Sequence, residues 1–168
     1  KPPSSLIETG TSIVLPHQSN EVHHEGEVAI VLNRTLAHAS PEDAAHAIGA
    51  WLALNDVTAR DLQRQDGGRF SRAKGFDTFC PVGKPIQTLT DWRNTRIRTQ
   101  VNGGIRQDAQ LAEMLFSPVE LLMYASRFMT LQTGDIVSFG TPAGVDKLTD
   151  GDSVSVQLLN SDGTILSE

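Results

Sequence analysis

The stretch HHEGEVAIVLNR, His23–Arg34, decides how the rest of the chain is read. If Glu25–Arg34 is extended, side chains alternate between faces, so Glu25 and Glu27 point the same way while Val28, Ile30 and Leu32 line the other side. Two carboxylates held side by side repel and raise each other's pKa, unless water solvates them or a positive group lies between them. A divalent cation would settle the arrangement. The plainer alternative is an exposed strand face whose acidic residues are simply solvated.

A third carboxylate, Asp56 in WLALNDVTARDLQ, belongs beside these two. The apolar run Trp51–Leu54 predicts a buried strand, and Asp56 lies just past its end, where a polar side chain reaches a cleft. Carboxylates select hard cations such as Mg²⁺, Mn²⁺ or Ca²⁺, and two or three protein oxygens leave coordination positions for water and substrate. Lys74, in FSRAKGFDTFCPVG, has the chemistry to neutralise a carboxylate or an oxyanion forming on a substrate, although a lone Lys is more often a surface residue. His23 and His24 are expected in a surface turn rather than as ligands, and Cys80 as a small buried hydrophobe. The segment FGTPAG lacks the spaced Lys and the following helix of a phosphate loop; it reads as a backbone-rich loop suited to a carboxylate.

Composition sets the frame. The 168 residues, 39% of them hydrophobic, suffice for one domain with a sizeable core. The net charge of −6, with Lys and Arg scattered, offers no footprint for nucleic acid. A single cysteine leaves no intrachain disulfide and favours a reducing, cytoplasmic setting. Apolar runs such as VAIVL fall well short of the roughly 20 residues of a spanning helix. The opening KPPSSLIETG has no initiator Met, and an upstream segment is expected.

Punctuation along the chain predicts a mostly β architecture with two helices. Ser40 as N-cap, Pro41 at the first helical position and acidic residues behind it predict a helix over about Pro41–Ala50. Ser117 and Glu120 form a capping box ahead of an apolar stripe of Leu121, Leu122, Ala125 and Phe128. Asn102-Gly103 and Asp162-Gly163 predict hairpins, Ile136–Phe139 a short strand, and the alternation of Val154, Val156 and Leu158 with Ser153, Ser155 and Gln157 a half-buried strand.

Taken in order, HHEGEVAIVLNR, NDVTARDLQ, KGFDTFCPVG and SPVELLMYASRFMTLQTGDIVSFGTPAGV resemble the fumarylacetoacetate hydrolase family, in its acylpyruvase-like branch, over nearly the whole chain. The resemblance implies an α+β fold that is mainly β, a mixed β-roll or sandwich around a metal-centred cleft, usually in a homodimer. It implies Glu25, Glu27 and Asp56 as ligands of Mg²⁺ (Mn²⁺ or Ca²⁺ as alternatives), Lys74 at the substrate's oxyanion or carboxylate, and Gln63 and Thr141 orienting the substrate. Arg60 and Asp77 lie inside the matching motifs without an assigned role. The activity implied is metal-dependent hydrolysis of a carbon–carbon bond in 2,4-dioxo acids, acylpyruvates such as fumarylpyruvate, with a water-activating His/Glu pair expected ahead of Lys1. Oxaloacetate decarboxylation, oxo-diacid isomerisation and sugar-acid dehydration share the same enolate. A non-catalytic domain holding a structural Ca²⁺ is the alternative from another class.

Overall fold

The computed structural model describes residues 1–89 and 91–168. Eleven strands are present among the described residues: β1 (Leu6–Glu8), β2 (Val22–His23), β3 (Gly26–Leu32), β4 (Ile48–Asn55), β5 (Thr58–Ala59), β6 (Cys80–Val82), β7 (Arg96–Val101), β8 (Gly104–Gln110), β9 (Ile136–Ser138), β10 (Val154–Leu159) and β11 (Ile165–Ser167). Four short helices join them: α1 (Pro41–His46), α2 (Arg60–Gln65), α3 (Ser71–Lys74) and α4 (Pro118–Ala125). The mainly β, α+β architecture expected from the sequence is the one observed.

One sheet runs β1-β6-β4-β3-β9, with β1 and β6 parallel and the other neighbours antiparallel; a second, antiparallel sheet runs β11-β10-β7-β8. The principal core lies between them, where Val28, Ile30 and Leu32 of β3 and Ala53 of β4 meet Ile97, Ala109 and Leu158 from the second sheet. The other face of β3 and β4 is apolar as well, with Ala29, Leu52 and Leu54 packed against Cys80. β3 is therefore a central strand buried on both faces, not the one-sided strand expected from its alternation.

The two sheets approach closely at Gly26. A Cβ built there would meet Thr99 Oγ1 at 2.0 Å, so only glycine lets β7 pass beside the start of β3. The hairpin at Asn102-Gly103 forms as predicted, with both residues at positive φ (52° and 78°) as the tight turn between β7 and β8 requires. Gly163, φ 87°, likewise turns β10 into β11.

Helix α1 starts as expected, with Ser40 and Asp43 capping each other reciprocally, but ends at His46 rather than near Ala50. Residues from Ile48 onward are drawn into β4, where Ile48 pairs with Leu32, and the ladder with β3 outcompetes the remaining turn of helix. β4 thereby begins three residues before the expected Trp51. α4 has its predicted capping box and buries Leu122, with Leu121 and Ala125 half-buried. Phe128 falls outside the apolar stripe: the helix ends at Ala125, its 3.6-residue period stops there, and the Phe128 ring stands exposed against Tyr124. In β10, Gln157 is buried instead of solvated, because the chain end covers that face and Glu168 Oε1 accepts its amide at 2.9 Å. Strand β9 stops one residue before Phe139, whose N–H still donates to Val28 O at 3.1 Å.

Among the described residues no helix is long and apolar enough to cross a membrane.

Candidate metal centre

Strand register assembles the site. Gly26 pairs with Asn55 and Glu27 with Leu54, so one step further Glu25 lies opposite Asp56, and the Asp56 N–H donates to Glu25 O at 2.8 Å. Residues paired across a ladder share a face. Glu25, Glu27 and Asp56 therefore all rise from the Ala29/Leu52/Leu54 face of the sheet, and one carboxylate oxygen from each lies within 4.8 Å of the others. Solvation is not their explanation, since Glu25 and Glu27 are only 6% and 4% exposed.

Cations close on Glu25 and Asp56. The Lys74 ammonium donates to Glu25 Oε2 at 2.8 Å and also pairs with Asp56, while the Arg60 guanidinium pairs with Glu25. Burial alone would lower the Lys74 pKa, but the Asp56 and Glu25 carboxylates hold it above the usual lysine value, so the residue stays charged. Lys74 ends α3, and Gly75 after it passes so near that a Cβ would meet Ser71 O at 2.6 Å. Ala73 and Phe79, both fully buried, anchor this segment in a satellite core. Lys74 is thus a fixed member of the cluster rather than a surface lysine.

Glu27 is treated differently by its surroundings. The Gly140 N–H donates to its Oε2 at 3.0 Å, yet among the described residues no Lys or Arg ion-pairs with it. Burial first, and the Asp56 charge second, push its carboxyl up to about 7. A buried, unpaired carboxylate beside two others is what a hard divalent cation relieves, so the donor set fits such an ion.

The remaining expected residues sit one layer out. Gln63 Oε1 accepts from Arg60 Nη1 at 2.6 Å and so steadies the guanidinium. Thr141 donates its hydroxyl to Gly26 O at 2.8 Å, which locks the FGTPAG loop to the start of β3. That loop does bind a carboxylate through its backbone, and the carboxylate is the protein's own Glu27. Asp77 is exposed and takes no part in the cluster. Cys80 is buried on β6, as expected, and burial pushes its thiol up.

The structural places of three residues were not foreseen from the sequence. Lys1 extends its side chain, 11% exposed, to Asp56 Oδ1 at 2.9 Å and to the carbonyls of Val57 and Lys74. No local pattern marks it, because the partners lie more than fifty residues away. His24 was expected in a surface turn and is instead fully buried, where burial keeps its imidazole neutral; its Nδ1 lies 3.2 Å from Oε1 of the third unforeseen residue, Gln107. The correction follows from β2 pairing with β5 and from the His24 N–H donating to Asp146 O, which bury a segment that reads as polar.

Beside Asp56 and Lys74 opens a cavity of about 910 Å³, bounded on its apolar side by Leu54, Cys80, Ile136 and Val137. It is large enough for a small organic acid beside Asp56 and Lys74.

The fumarylacetoacetate (FAA) hydrolase C-terminal profile matches residues 1–166. An oxaloacetate tautomerase of Escherichia coli is 36% identical over 162 residues, 93% of this chain and 74% of that protein. The structure of a 5-carboxymethyl-2-hydroxymuconate delta-isomerase from Mycobacterium smegmatis superimposes with a TM-score of 0.91 at 41% identity, covering 99% of this chain and 66% of that one. A Burkholderia cenocepacia structure described as a candidate fumarylpyruvate hydrolase gives a TM-score of 0.88 at 31% identity, with 99% and 75% covered. The chain spans about two thirds of the length of the curated relatives it matches first. With its profile, its fold and its relatives in agreement, the chain belongs to the fumarylacetoacetate hydrolase C-terminal family.

Proposed function

We propose that this chain is the metal-binding core of an enzyme that works on 2-oxo acids through their enol or enolate form. The observation that carries this reading is the convergence of Glu25, Glu27 and Asp56 on one buried face, with Lys74 and Arg60 beside them. The three carboxylates would hold a divalent ion, Mg²⁺ by preference and Mn²⁺ or Ca²⁺ as alternatives. Bound there, the ion would supply a Lewis acid for the oxo and carboxylate oxygens of the substrate.

The chain's own groups do the rest. Lys74, kept protonated by its two carboxylates, offers positive charge to the oxygen that turns negative as the enolate forms. Arg60, steadied by Gln63, contributes a second cation and fixes the Glu25 carboxylate. Thr141 holds the loop that donates to Glu27 against the start of β3, which keeps that carboxylate in place. The apolar wall of Leu54, Cys80 and Ile136 lowers the local dielectric, which strengthens each of these interactions.

Within this class, the tautomerase and isomerase relatives support proton transfer next to the oxo group as the first reaction to test, with a 2-oxo diacid such as oxaloacetate as substrate. Hydrolysis of an acylpyruvate to pyruvate and a carboxylic acid, the sequence's first expectation, is the second reading, supported by the Burkholderia cenocepacia relative. It requires a base to take a proton from water, attack of that water on the distal carbonyl, and rupture of the carbon–carbon bond, which releases the carboxylic acid and leaves pyruvate as its enolate to be protonated. A homodimer belongs to this reading too. It is supported by Leu115, Phe116, Tyr124 and Phe128, which stand exposed on α4 and its flanks, and sedimentation velocity tests it.

The deciding experiment follows enol-to-keto conversion of oxaloacetate by ultraviolet absorbance, and pyruvate release from acetylpyruvate and fumarylpyruvate, with Mg²⁺, with Mn²⁺ and with EDTA. Metal-dependent tautomerisation without pyruvate supports the first reading, and metal-dependent pyruvate release the second. A protein that binds Ca²⁺ tightly and turns over none of these substrates overturns both in favour of a structural ion.

A further inference from the structure

We infer that Gln107 is a positioning residue for the metal centre: one buried amide that ties the strand carrying Glu25 and Glu27 to the loop that holds Glu27 from the other side. The inference rests on the reading of the three carboxylates as a metal centre.

Gln107 lies on β8, in the second sheet, and is 1% exposed. Its Oε1 accepts the Gly26 N–H at 2.9 Å and lies 3.2 Å from His24 Nδ1, so the neutral ring carries its proton on that nitrogen. Its Nε2 donates to Thr141 Oγ1 at 2.8 Å and to Pro142 O at 2.9 Å. Both donor hydrogens and both acceptor positions of the amide are thereby used. Flipping the amide would set its NH₂ against the Gly26 N–H and its oxygen against Pro142 O, so a single orientation is allowed.

These four bonds reach both halves of the Glu27 environment. His24 and Gly26 flank Glu25, and Gly26 directly precedes Glu27; Thr141 and Pro142 directly follow Gly140, whose N–H donates to Glu27 Oε2. Thr141 closes the circuit by donating to Gly26 O at 2.8 Å. Two close approaches leave the clamp no slack. A Cβ at Gly26 would lie 3.2 Å from Gln107 Oε1, and one at Gly144 would meet Arg106 O at 2.1 Å. The β3–β9 ladder brings strand and loop together, and past its end at Ser138 their separation, and so the placement of the Glu27 carboxylate relative to Glu25 and Asp56, is braced by a residue of the other sheet that hydrogen-bonds to none of the three. Groups hydrogen-bonded directly to metal ligands change affinity by about 10–100-fold when removed, and Gln107, which acts one bond further out, is expected at the lower end of that range.

The test is a substrate-free Mn²⁺ titration, read from the electron paramagnetic resonance of free Mn²⁺, on the wild type, Gln107→Met, Thr141→Val and the double variant. Amide hydrogen exchange at Gly140 and Thr141 is measured in parallel on the metal-free proteins. The expected result is about tenfold weaker Mn²⁺ binding and about tenfold faster exchange in each single variant, with the double variant no worse than the weaker single, because both break one circuit. Thr141→Val, at a half-buried position, carries the test if Gln107→Met does not fold. Wild-type affinity and wild-type exchange in a folded variant, or losses that multiply in the double variant, overturn the clamp. Should the wild type bind no Mn²⁺, the metal-centre reading fails by itself, and unchanged exchange at Gly140 still overturns the clamp.

Discussion

The Lys74 ammonium bridges Glu25 and Asp56, two carboxylates that face each other across the β3–β4 ladder. Lys74 and Asp56 also line the adjoining cavity, so under the proposed function the ammonium is in reach of a substrate oxyanion. Lys74→Met removes the charge while keeping most of the stem's volume. We expect kcat to fall about 10²–10³-fold, the range for a lost oxyanion partner, with Mn²⁺ still bound. Steady-state kinetics with a parallel Mn²⁺ titration checks this, and turnover within threefold of wild type would show that Lys74 serves the fold alone.

Glu27 gives the pH dependence a sign. Its carboxyl is raised to about 7 from an ordinary 4.5, so the folded metal-free chain holds a proton that the unfolded chain releases. Its contribution is complete below about pH 4.5 and is lost as pH rises through about 7, a change of about 3 kcal/mol. With EDTA present, Glu27→Gln should therefore gain stability over wild type as pH rises from 5 to 8. Urea midpoints across that range measure it. Metal affinity should move the opposite way, tightening as pH rises and Glu27 ionises.

Glu27→Ala separates a catalytic ion from a structural one. Turnover should disappear while the metal-free protein keeps its urea midpoint, because the substitution removes a buried carboxylate that is costly without a cation. A large loss of metal-free stability would mean that Glu27 holds the fold together.

Gly26→Ala probes the contact between sheets. Its Cβ would lie 2.0 Å from Thr99 Oγ1, so β7 must move, and we expect destabilisation of about 1–3 kcal/mol or more together with weaker Mn²⁺ binding. As a control, Gly103→Ala strains the positive-φ hairpin turn at the far end of β7, costing about 1 kcal/mol without changing Mn²⁺ affinity. Equal effects of the two on Mn²⁺ would mean that affinity only follows global stability.

The sequence was legible wherever the cause is local. The N-cap at Ser40, the capping box at Ser117, the Asn102-Gly103 turn and the acidic spacing at Glu25 and Glu27 all depend on residues within a few positions of one another, and each has its counterpart in the structure. Local cues failed where two elements competed. The end of α1 was lost to β4 because Ile48 pairs with Leu32, a contact that no short window contains. His24 read as a surface residue because the strand pairing that buries it lies outside its own segment.

By itself, the sequence determined the β-rich class, the family resemblance and the three carboxylates with Lys74, since these rest on residue chemistry and short spacings. Only the tertiary structure decided that Glu25 and Asp56 meet on one face, that Lys1 reaches Asp56, and that Gln107 ties Gly26 to Thr141. Those contacts join residues separated by about thirty to eighty positions, and what brings them together is ladder register and the packing of one sheet on another, which depend on the whole chain at once.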